Sequence, residues 1–166
     1  MQKLTPFLWF YDKAEEAAKY YVSVFSAKDK NSKILSVVRY PKSAEKVAGK
    51  KAGSVMTVSF KLAGMEFTAI NGGPPFKLSE AFSLVINCQT QAEVDYFWEK
   101  LTRGGDKKAQ VCGWLKDRFG LSWQVVPTIL GQLLADKNRE KANRVMQAML
   151  KMKKIDIAGL KKAYQQ

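Results

Sequence analysis

Two parts of this chain share one order of strands and helix, and this duplication constrains the fold more than any other feature of the sequence. An apolar run over Leu4–Phe10 predicts a buried strand, and helical spacing follows over Ala14–Phe25. Three further strands are predicted over Ile34–Tyr40, Ser54–Leu62 and Met65–Ile70. The glycines and prolines of Asn71–Pro75 then end the pattern. The first part therefore predicts the order β-α-β-β-β.

The second part repeats this order after the break. The pattern predicts, in turn, a strand, a helix and two strands over Phe82–Asn87, Gln91–Leu101, Gln110–Leu115 and Leu121–Val126. The hairpins align with Gly64 on Gly120 and Thr68 on Gln124, and the helices align with Tyr20-Tyr21 on Tyr96-Phe97. Two copies of one βαβββ module explain both alignments, provided that the second copy lacks a counterpart of the lysine-rich segment Lys28–Lys51.

Such modules predict an α+β fold in which two curved mixed sheets pair and leave a central cleft. One module is too small to bury both faces of its sheet, so pairing of the modules would stabilise the domain. We expect a single domain over residues 1–166, with modules at 1–72 and 81–127, a connecting loop at 73–80 and a helical extension at 128–166. Alternation along the last strand directs Trp123 to the helix side and Gln124 into the cleft.

The extension after Pro127 is predicted to be helical throughout. Helical spacing is found over Leu130–Ala135, Arg139–Lys153 and Ile157–Tyr164. Val145, Met149 and Met152 give the extension an apolar side, which would pack on the body of the domain or on a second subunit. The second possibility would agree with a homodimer, which we expect.

The net charge of +13 raises the question of an acidic partner. The excess of basic residues lies in the segments Lys28–Lys51 and Lys137–Lys162, and the remaining positions balance. A nucleic-acid site would interleave aromatic or arginine side chains with the lysines, and both segments are poor in them. A solvated lysine surface is the alternative, and we do not expect nucleic acid to be the main partner.

The chain has no histidine, which removes histidine-based nucleophile activation and histidine-ligated metal sites. Its two cysteines, Cys88 and Cys112, have no metal-site spacing and are expected to be packed thiols in a reducing compartment. No apolar run is long enough for a membrane helix, and the start of the chain shows no cleavable signal pattern. We therefore expect a cytoplasmic protein that does not bind a membrane.

Five segments of the chain together resemble a known group of proteins. These segments are TPFLWFYDKAEEAAKYYVSVF (Thr5–Phe25), Phe67–Cys88, Ala92–Gly105, CGWLKDRFGLSWQVVPT (Cys112–Thr128) and Val145–Tyr164. With them, the sequence is similar to the PhnB-like family, named for 3-demethylubiquinone-9 3-methyltransferase, within the vicinal oxygen chelate superfamily of glyoxalase I, extradiol dioxygenases and bleomycin-resistance proteins. The resemblance implies a glyoxalase-like curved sheet with a central cleft.

The resemblance also implies where a metal would be bound. Metalloenzymes of the superfamily place one ligand on the first strand and one on the last strand of each module. Those positions correspond here to Thr5, Thr68, Ser83 and Gln124. Because hydroxyl and amide groups bring no charge to a divalent ion, we predict no catalytic metal. Gln124 would then orient a bound molecule through hydrogen bonds; the alternative is a polar side chain in a wet groove with no partner.

The family's description as a methyltransferase implies S-adenosylmethionine, which usually binds at a glycine-rich turn that leads into a helix. In this sequence Gly72-Gly73 leads instead into Pro74-Pro75 and no helix start. It therefore offers no helix N-terminus to a nucleotide, and we expect no cofactor.

Aromatic side chains are the main candidates for ligand contacts. Phe7 and Trp9 lie on the same side of the first strand as Thr5, and Phe76 and Trp114 are further candidates. Such walls suit a flat or hydrophobic molecule, unless these aromatics fill the core between the sheets. Weak candidates for catalysis are Glu66, placed beside Thr68 in the cleft, and Cys112, placed on a strand.

Three hypotheses follow from the sequence. The first is a metal-free protein that binds an aromatic or hydrophobic small molecule in the cleft between the modules. The second is a metal-independent enzyme acting on a quinone-like aromatic substrate through Glu66 or Cys112. The third is a basic protein that binds nucleic acid through its two lysine-rich segments.

Overall fold

The computed structural model describes residues 2–166, which form two compact units. The first unit ends at Leu78, and the second comprises Ser79–Gln166. Each unit contains one four-stranded mixed sheet with a long helix packed against it. The α+β class and the two βαβββ modules predicted from the sequence are therefore confirmed.

The first unit follows the predicted order of elements. Its strands and long helix are β1 (Phe7–Phe10), α1 (Ala14–Ser26), β2 (Lys33–Arg39), β3 (Val55–Leu62) and β4 (Met65–Asn71). A 3-10 turn at Lys42–Ala44 and the short helix α2 (Glu45–Ala48) lie between β2 and β3. The strand order across the sheet is β1-β4-β3-β2, with β1 parallel to β4 and the other pairs antiparallel.

The second unit has the same connectivity and an added helical extension. Its module consists of β5 (Ser83–Cys88), α3 (Gln91–Thr102), β6 (Asp106–Val111), β7 (Trp114–Lys116) and β8 (Ser122–Pro127). The strand order is β5-β8-β7-β6, and β5 is parallel to β8. The extension contains α4 (Thr128–Leu134), α5 (Arg139–Leu150) and α6 (Ile157–Gln165).

The single strand predicted over Gln110–Leu115 is wrong, because the chain reverses direction within it. Cys112 and Gly113 form the turn between β6 and β7, and both have positive φ angles, 50° and 84°. Tight hairpin turns usually place Asn or Asp before the glycine, and a cysteine gives no such signal. Cys112 therefore lies in a turn and not on a strand. The first strand is also shorter than predicted, since it begins at Phe7, after Thr5 and Pro6.

The core of the first unit lies between α1 and one face of its sheet. Tyr21 of α1 approaches Phe60 with a ring-centroid distance of 6.3 Å, and Phe60 stacks on Phe67 at 5.4 Å. Asn71 ties the two layers together, because its Oδ1 accepts a hydrogen bond from Ala14 N and its Nδ2 donates to Val55 O. This side chain satisfies one backbone donor at the start of α1, which lacks a side-chain cap of its own.

The core of the second unit lies between α3 and the face of β8 that carries Trp123 and Val125. A capping box of Thr90 and Glu93 begins α3. The helical extension has its own apolar cluster around Val145 and Leu160, and Val126 at the end of β8 packs against that cluster. Several elements thus meet at β8, which is an inner strand of this sheet.

Asp117 links the β7–β8 turn to the core of the second unit. Its buried carboxylate accepts hydrogen bonds from the backbone amides of Phe119 and Leu121, at 2.8 and 3.1 Å. The other oxygen accepts from Trp123 Nε1 at 2.8 Å. One side chain therefore fixes both the turn and the orientation of the largest buried aromatic residue.

Replacing Asp117 by Ala should lower the free energy of unfolding by about 2–4 kcal/mol, because it leaves buried donors without an acceptor. Urea denaturation followed by far-UV circular dichroism measures this change. Asp106→Ala is the matched control, since the exposed Asp106 accepts only one local hydrogen bond, from Lys108 N. Equal effects of the two substitutions would contradict the assigned role of Asp117.

A hydrogen bond between Tyr164 and Asp136 joins the last helix to the loop before α5. The phenol donates to Asp136 Oδ2 at 2.6 Å. This bond lowers the pKa of Asp136 below its ordinary value of 3.8 and raises the pKa of Tyr164 above 10.0. The carboxylate therefore stabilises the fold above pH 3.8 and loses this effect as the pH falls through its lowered pKa. The phenol's contribution is complete below pH 10.0 and is lost as the pH rises through its raised pKa.

We expect Tyr164→Phe to lower the melting temperature at neutral pH, and we expect the difference from the wild type to shrink below pH 3.8. Differential scanning calorimetry across this range tests both statements. Tyr11→Phe removes a hydroxyl from an exposed tyrosine and serves as the control. A difference that stays constant into acid would show that the ionised Asp136 is not involved.

Candidate functional site

Each sheet has a second face, turned away from α1 or α3, which we call its distal face. Because side chains alternate along a strand and register partners share a face, the pairing defines which residues lie there. The distal face of the first sheet carries Phe7, Trp9, Ser59, Lys61, Glu66 and Thr68. The distal face of the second sheet carries Ser83, Val85, Trp114, Lys116, Ser122 and Gln124.

Aromatic side chains crowd one edge of the first distal face. Trp9 lies directly against Gly72, where a Cβ would overlap the indole ring, and its Nε1 donates to Gly73 O at 3.0 Å. Phe76 meets Trp9 edge-on, with ring centroids 4.9 Å apart. Phe76 and Phe7 are 64% and 58% exposed. The edge thus combines one aromatic ring in a fixed orientation with two rings that are accessible to a ligand.

The second distal face has a polar centre. Gln124 Nε2 donates to Ser83 Oγ at 2.9 Å, so two residues singled out from the sequence are in direct contact. In register, Gln124 lies between Trp114 of β7 and Val85 of β5, and Val85 is half-exposed. An amide held between an aromatic and an aliphatic side chain is suited to orient a flat molecule through one or two hydrogen bonds.

The register also fixes which positions of the two modules correspond. Thr68 pairs with Phe7, and its counterpart Gln124 pairs with Val85. Phe7 and Val85 are therefore equivalent, which makes Thr5 the counterpart of Ser83. The first module differs in its contacts, because Thr68 shares a hydrogen bond with Ser59 and no hydrogen bond joins Thr5 to Thr68 within residues 2–166.

The donor set at these positions does not fit a divalent metal ion. Thr5 is exposed, and Thr68 shares a hydrogen bond with Ser59. The side chains of Ser83 and Gln124 are hydrogen-bonded to each other. None of them brings a charge or an imidazole. Across residues 2–166, no cluster of three or more His, Cys, Asp or Glu side chains could hold a metal.

The glycine pair at 72–73 does not fit a nucleotide cofactor either. Gly73 has a φ of 80°, and its carbonyl accepts the Trp9 hydrogen bond. In the described part of the chain, no helix begins between β4 and β5. The aligned backbone amides that bind phosphate at a helix N-terminus are thus not provided at this turn.

The weak catalytic candidates occupy different environments. The Glu66 side chain is exposed on the first distal face, and the backbone of Glu66 is held by the side chain of Gln2. Cys112 is partly exposed in its turn. Cys88 is buried, and burial raises the pKa of its thiol to about 12, with the charge of Glu93 acting in the same direction.

Sequence reasoning missed Lys116 and Glu80, which form an ion pair at the edge of the second distal face. The hydrogen bond from Lys116 lowers the pKa of Glu80. The strand predicted from the sequence ends at Leu115, which places Lys116 outside the sheet. Recognition of the Cys112-Gly113 turn would have placed Lys116 beside Ser122.

A cavity of about 360 Å³ lies at the start of α1. It is lined by charged side chains of both signs, among them Lys13, Glu15, Glu16 and Lys50. Lys50 is already engaged, since its Nζ donates to Tyr11 O at 3.0 Å. This cavity lacks the aromatic walls that the distal faces provide.

The sheet orders β1-β4-β3-β2 and β5-β8-β7-β6, each built by one βαβββ module, are those of a glyoxalase-like fold. The sequence profile of the 3-demethylubiquinone-9 3-methyltransferase family matches residues 2–126. The chain therefore belongs to this family, as the resemblance of its sequence indicated.

The solved structures agree with this assignment. A PhnB protein from Bacillus cereus with the same methyltransferase description is 34% identical, with a TM-score of 0.64, and the match covers 76% of this chain and all of that one. Protein PA1353 from Pseudomonas aeruginosa is 17% identical over 76% of this chain and 98% of its own, with a TM-score of 0.56.

A more distant similarity extends to an antibiotic-resistance protein. The fosfomycin resistance protein FosX from Mesorhizobium loti is 14% identical, with a TM-score of 0.53, and the match covers 82% of this chain and all of that one. At this identity, as for PA1353, the similarity shows the fold alone. A search of curated proteins finds no significant match. Within residues 2–166, no helix is both long and apolar enough to cross a membrane.

The two thiols should differ in reactivity. We expect one thiol per native chain to react with DTNB at pH 8, because Cys88 is buried with its pKa raised to about 12, whereas Cys112 is partly exposed. Cys112→Ala should abolish this reaction, and Cys88→Ala should leave it unchanged. Rapid reaction of Cys88 in the native protein would contradict the assignment.

Proposed function

We propose that this protein binds a small aromatic or hydrophobic molecule on the distal faces of its sheets, without a metal ion. The observation that carries the proposal is the arrangement repeated on both faces. An exposed apolar side chain, Phe7 or Val85, lies in register beside an uncharged polar residue, Thr68 or Gln124. Apolar walls with a few fixed hydrogen-bonding groups are the usual composition of small-molecule sites.

The absence of charge at the four ligand-type positions supports the metal-free part of the proposal. Hydroxyl and amide oxygens compete poorly with water for first-row metals. Gln124 and Ser83 already satisfy one another through their hydrogen bond. Their role is then recognition, in which the amide oxygen of Gln124 accepts a hydrogen bond from the ligand.

The enzymatic alternative rests on the description of the family. It needs a group that touches a reacting atom, and Glu66 is the acid on the first distal face. Its carboxylate is exposed, and exposure leaves a carboxylate solvated, a poor setting for a general base. We therefore place binding before catalysis.

A nucleic-acid partner is also placed lower. In the lysine-rich segment Lys28–Lys51, Arg39 donates to Gly53 O and Lys50 donates to Tyr11 O, so these two cations are engaged within the unit. The homodimer is part of the proposal, because Met146 and Leu150 of α5 remain exposed beside the buried Val145.

Native mass spectrometry of the freshly purified protein tests the whole proposal. We expect the mass of a dimer that carries an organic molecule and no stoichiometric metal. A stoichiometric transition metal would contradict the interpretation of Thr5, Thr68, Ser83 and Gln124 as recognition residues. If the protein carries no organic molecule, and its mass does not change when it is mixed with a library of aromatic compounds, binding itself is contradicted.

Once a bound compound is in hand, Gln124→Ala should weaken its binding by about tenfold, which is the usual effect of removing a well-placed interface hydrogen bond. Gln165→Ala is the matched control, because Gln165 is an exposed glutamine at the end of α6. Isothermal titration calorimetry measures both variants. Equal affinities of the two variants would remove Gln124 from the site.

A further inference from the structure

We infer that Lys116 and Ser122 form an oxyanion-binding subsite on the second distal face, so that the ligand is an organic acid with a carboxylate or phosphate group. This inference rests on the proposed small-molecule binding and specifies the class of ligand. It concerns residues of the second unit alone, and neither Lys116 nor Ser122 occupies a position equivalent to a metal ligand of the superfamily.

The register places three polar side chains side by side on neighbouring strands of the second distal face. Ser122 of β8 is paired with Lys116 of β7 on one side and with Ser83 of β5 on the other. Directly opposed side chains on one face of a sheet have Cβ atoms about 5 Å apart. An ammonium and two hydroxyls on such a spacing can donate together to the oxygens of a single anionic group.

Ser122 is the observation that points to a ligand. The residue is only 2% exposed, and its Oγ has no hydrogen-bond partner among residues 2–166. Every other buried side-chain oxygen or nitrogen in that part of the chain has a partner. Since folded proteins rarely leave a buried hydroxyl unsatisfied, a donor in this position indicates an acceptor supplied from outside the chain.

Lys116 provides the charge, and its current partner is replaceable. The Lys116 side chain is 25% exposed, whereas that of Glu80, its partner in the ion pair, is 61% exposed and precedes β5. Exposed ion pairs contribute little to stability. A ligand oxyanion can therefore take the place of the Glu80 carboxylate at the ammonium while Glu80 turns into solvent.

The first module serves as an internal comparison. Lys61 is the counterpart of Lys116, and the residue opposite it in register is Glu66, the counterpart of Ser122. In the first sheet this lysine thus faces a carboxylate, which repels an anion. In the second sheet the carboxylate is replaced by a small hydroxyl, which admits an anion and can donate to it.

The neighbouring row of side chains on the second distal face indicates what the rest of the ligand looks like. Trp114, Gln124 and Val85 lie abreast, one step along from Lys116, Ser122 and Ser83. An aryl ring that extends from the acidic group would lie at the Gln124 amide, between the side chains of Trp114 and Val85. The subsite therefore fits an aryl carboxylate or an aryl phosphate.

The test uses benzoate, phenyl phosphate and the neutral benzamide as probes. Each is titrated into the ¹⁵N-labelled protein, and the indole N–H of Trp114, assigned with Trp114→Phe, reports binding. We expect at least one acid to bind about tenfold more tightly than benzamide, and Lys116→Met and Ser122→Ala to reduce this preference. Glu80→Gln should strengthen binding of the acid about threefold and leave benzamide unchanged, because it removes the competing carboxylate.

Lys61→Met is the matched control for the net charge of the protein, and it should leave the preference for the acid intact. Equal binding of acids and benzamide, or an equal loss of the preference in Lys61→Met and Lys116→Met, would overturn the subsite and leave the proposed function standing. Binding of no probe would also overturn the subsite, and native mass spectrometry with the compound library then decides separately on the proposed function. Whichever of benzoate and phenyl phosphate binds more tightly shows whether the subsite prefers a carboxylate or a phosphate. If Lys116→Met folds poorly, the effect of Glu80→Gln on binding of the acid still tests the subsite.

Discussion

The alternation of side chains on β4 and β8 is the constraint on which the rest of the structure depends. Each of these strands is the parallel partner of the first strand of its module and the antiparallel partner of the third. Phe67 and Trp123 therefore point to the helix side and are buried, whereas Thr68 and Gln124 must lie on the other face. A shift of one residue in register would bury the polar set and expose the aromatic one.

The same alternation explains what could be predicted from the sequence. Thr68 and Gln124 were found because two glycine turns, at Gly64 and Gly120, fix the alignment of the hairpins. Ser83 was placed by the family resemblance alone, since the register of the parallel pair β5–β8 is set by contacts between strands distant in sequence. Lys116 was missed because a cysteine occupies a turn position that usually holds Asn or Asp.

The two modules share one arrangement of strands and helix but differ in the side chains on their distal faces. Glu66 in one copy corresponds to Ser122 in the other, and Ser59 corresponds to Trp114. The helix-facing positions stayed largely apolar, since a polar side chain there must find a buried partner, as Asn71 does at Ala14 N and Val55 O. The distal positions were free of that restriction, and there the copies came to differ in charge and in aromatic content.

The family's description and the residues of this chain suggest different chemistry, and the geometry explains why binding is the better inference. Methyl transfer needs a cofactor held against an acceptor, and the turn at Gly72-Gly73 instead holds an indole ring: Trp9 packs on Gly72 and donates to Gly73 O. A glycine whose surface is covered by an aromatic ring cannot at the same time contact a nucleotide. Under the proposed function, the fixed orientation of Trp9 would favour binding, because a side chain ordered before binding loses little entropy when a flat ligand stacks on it.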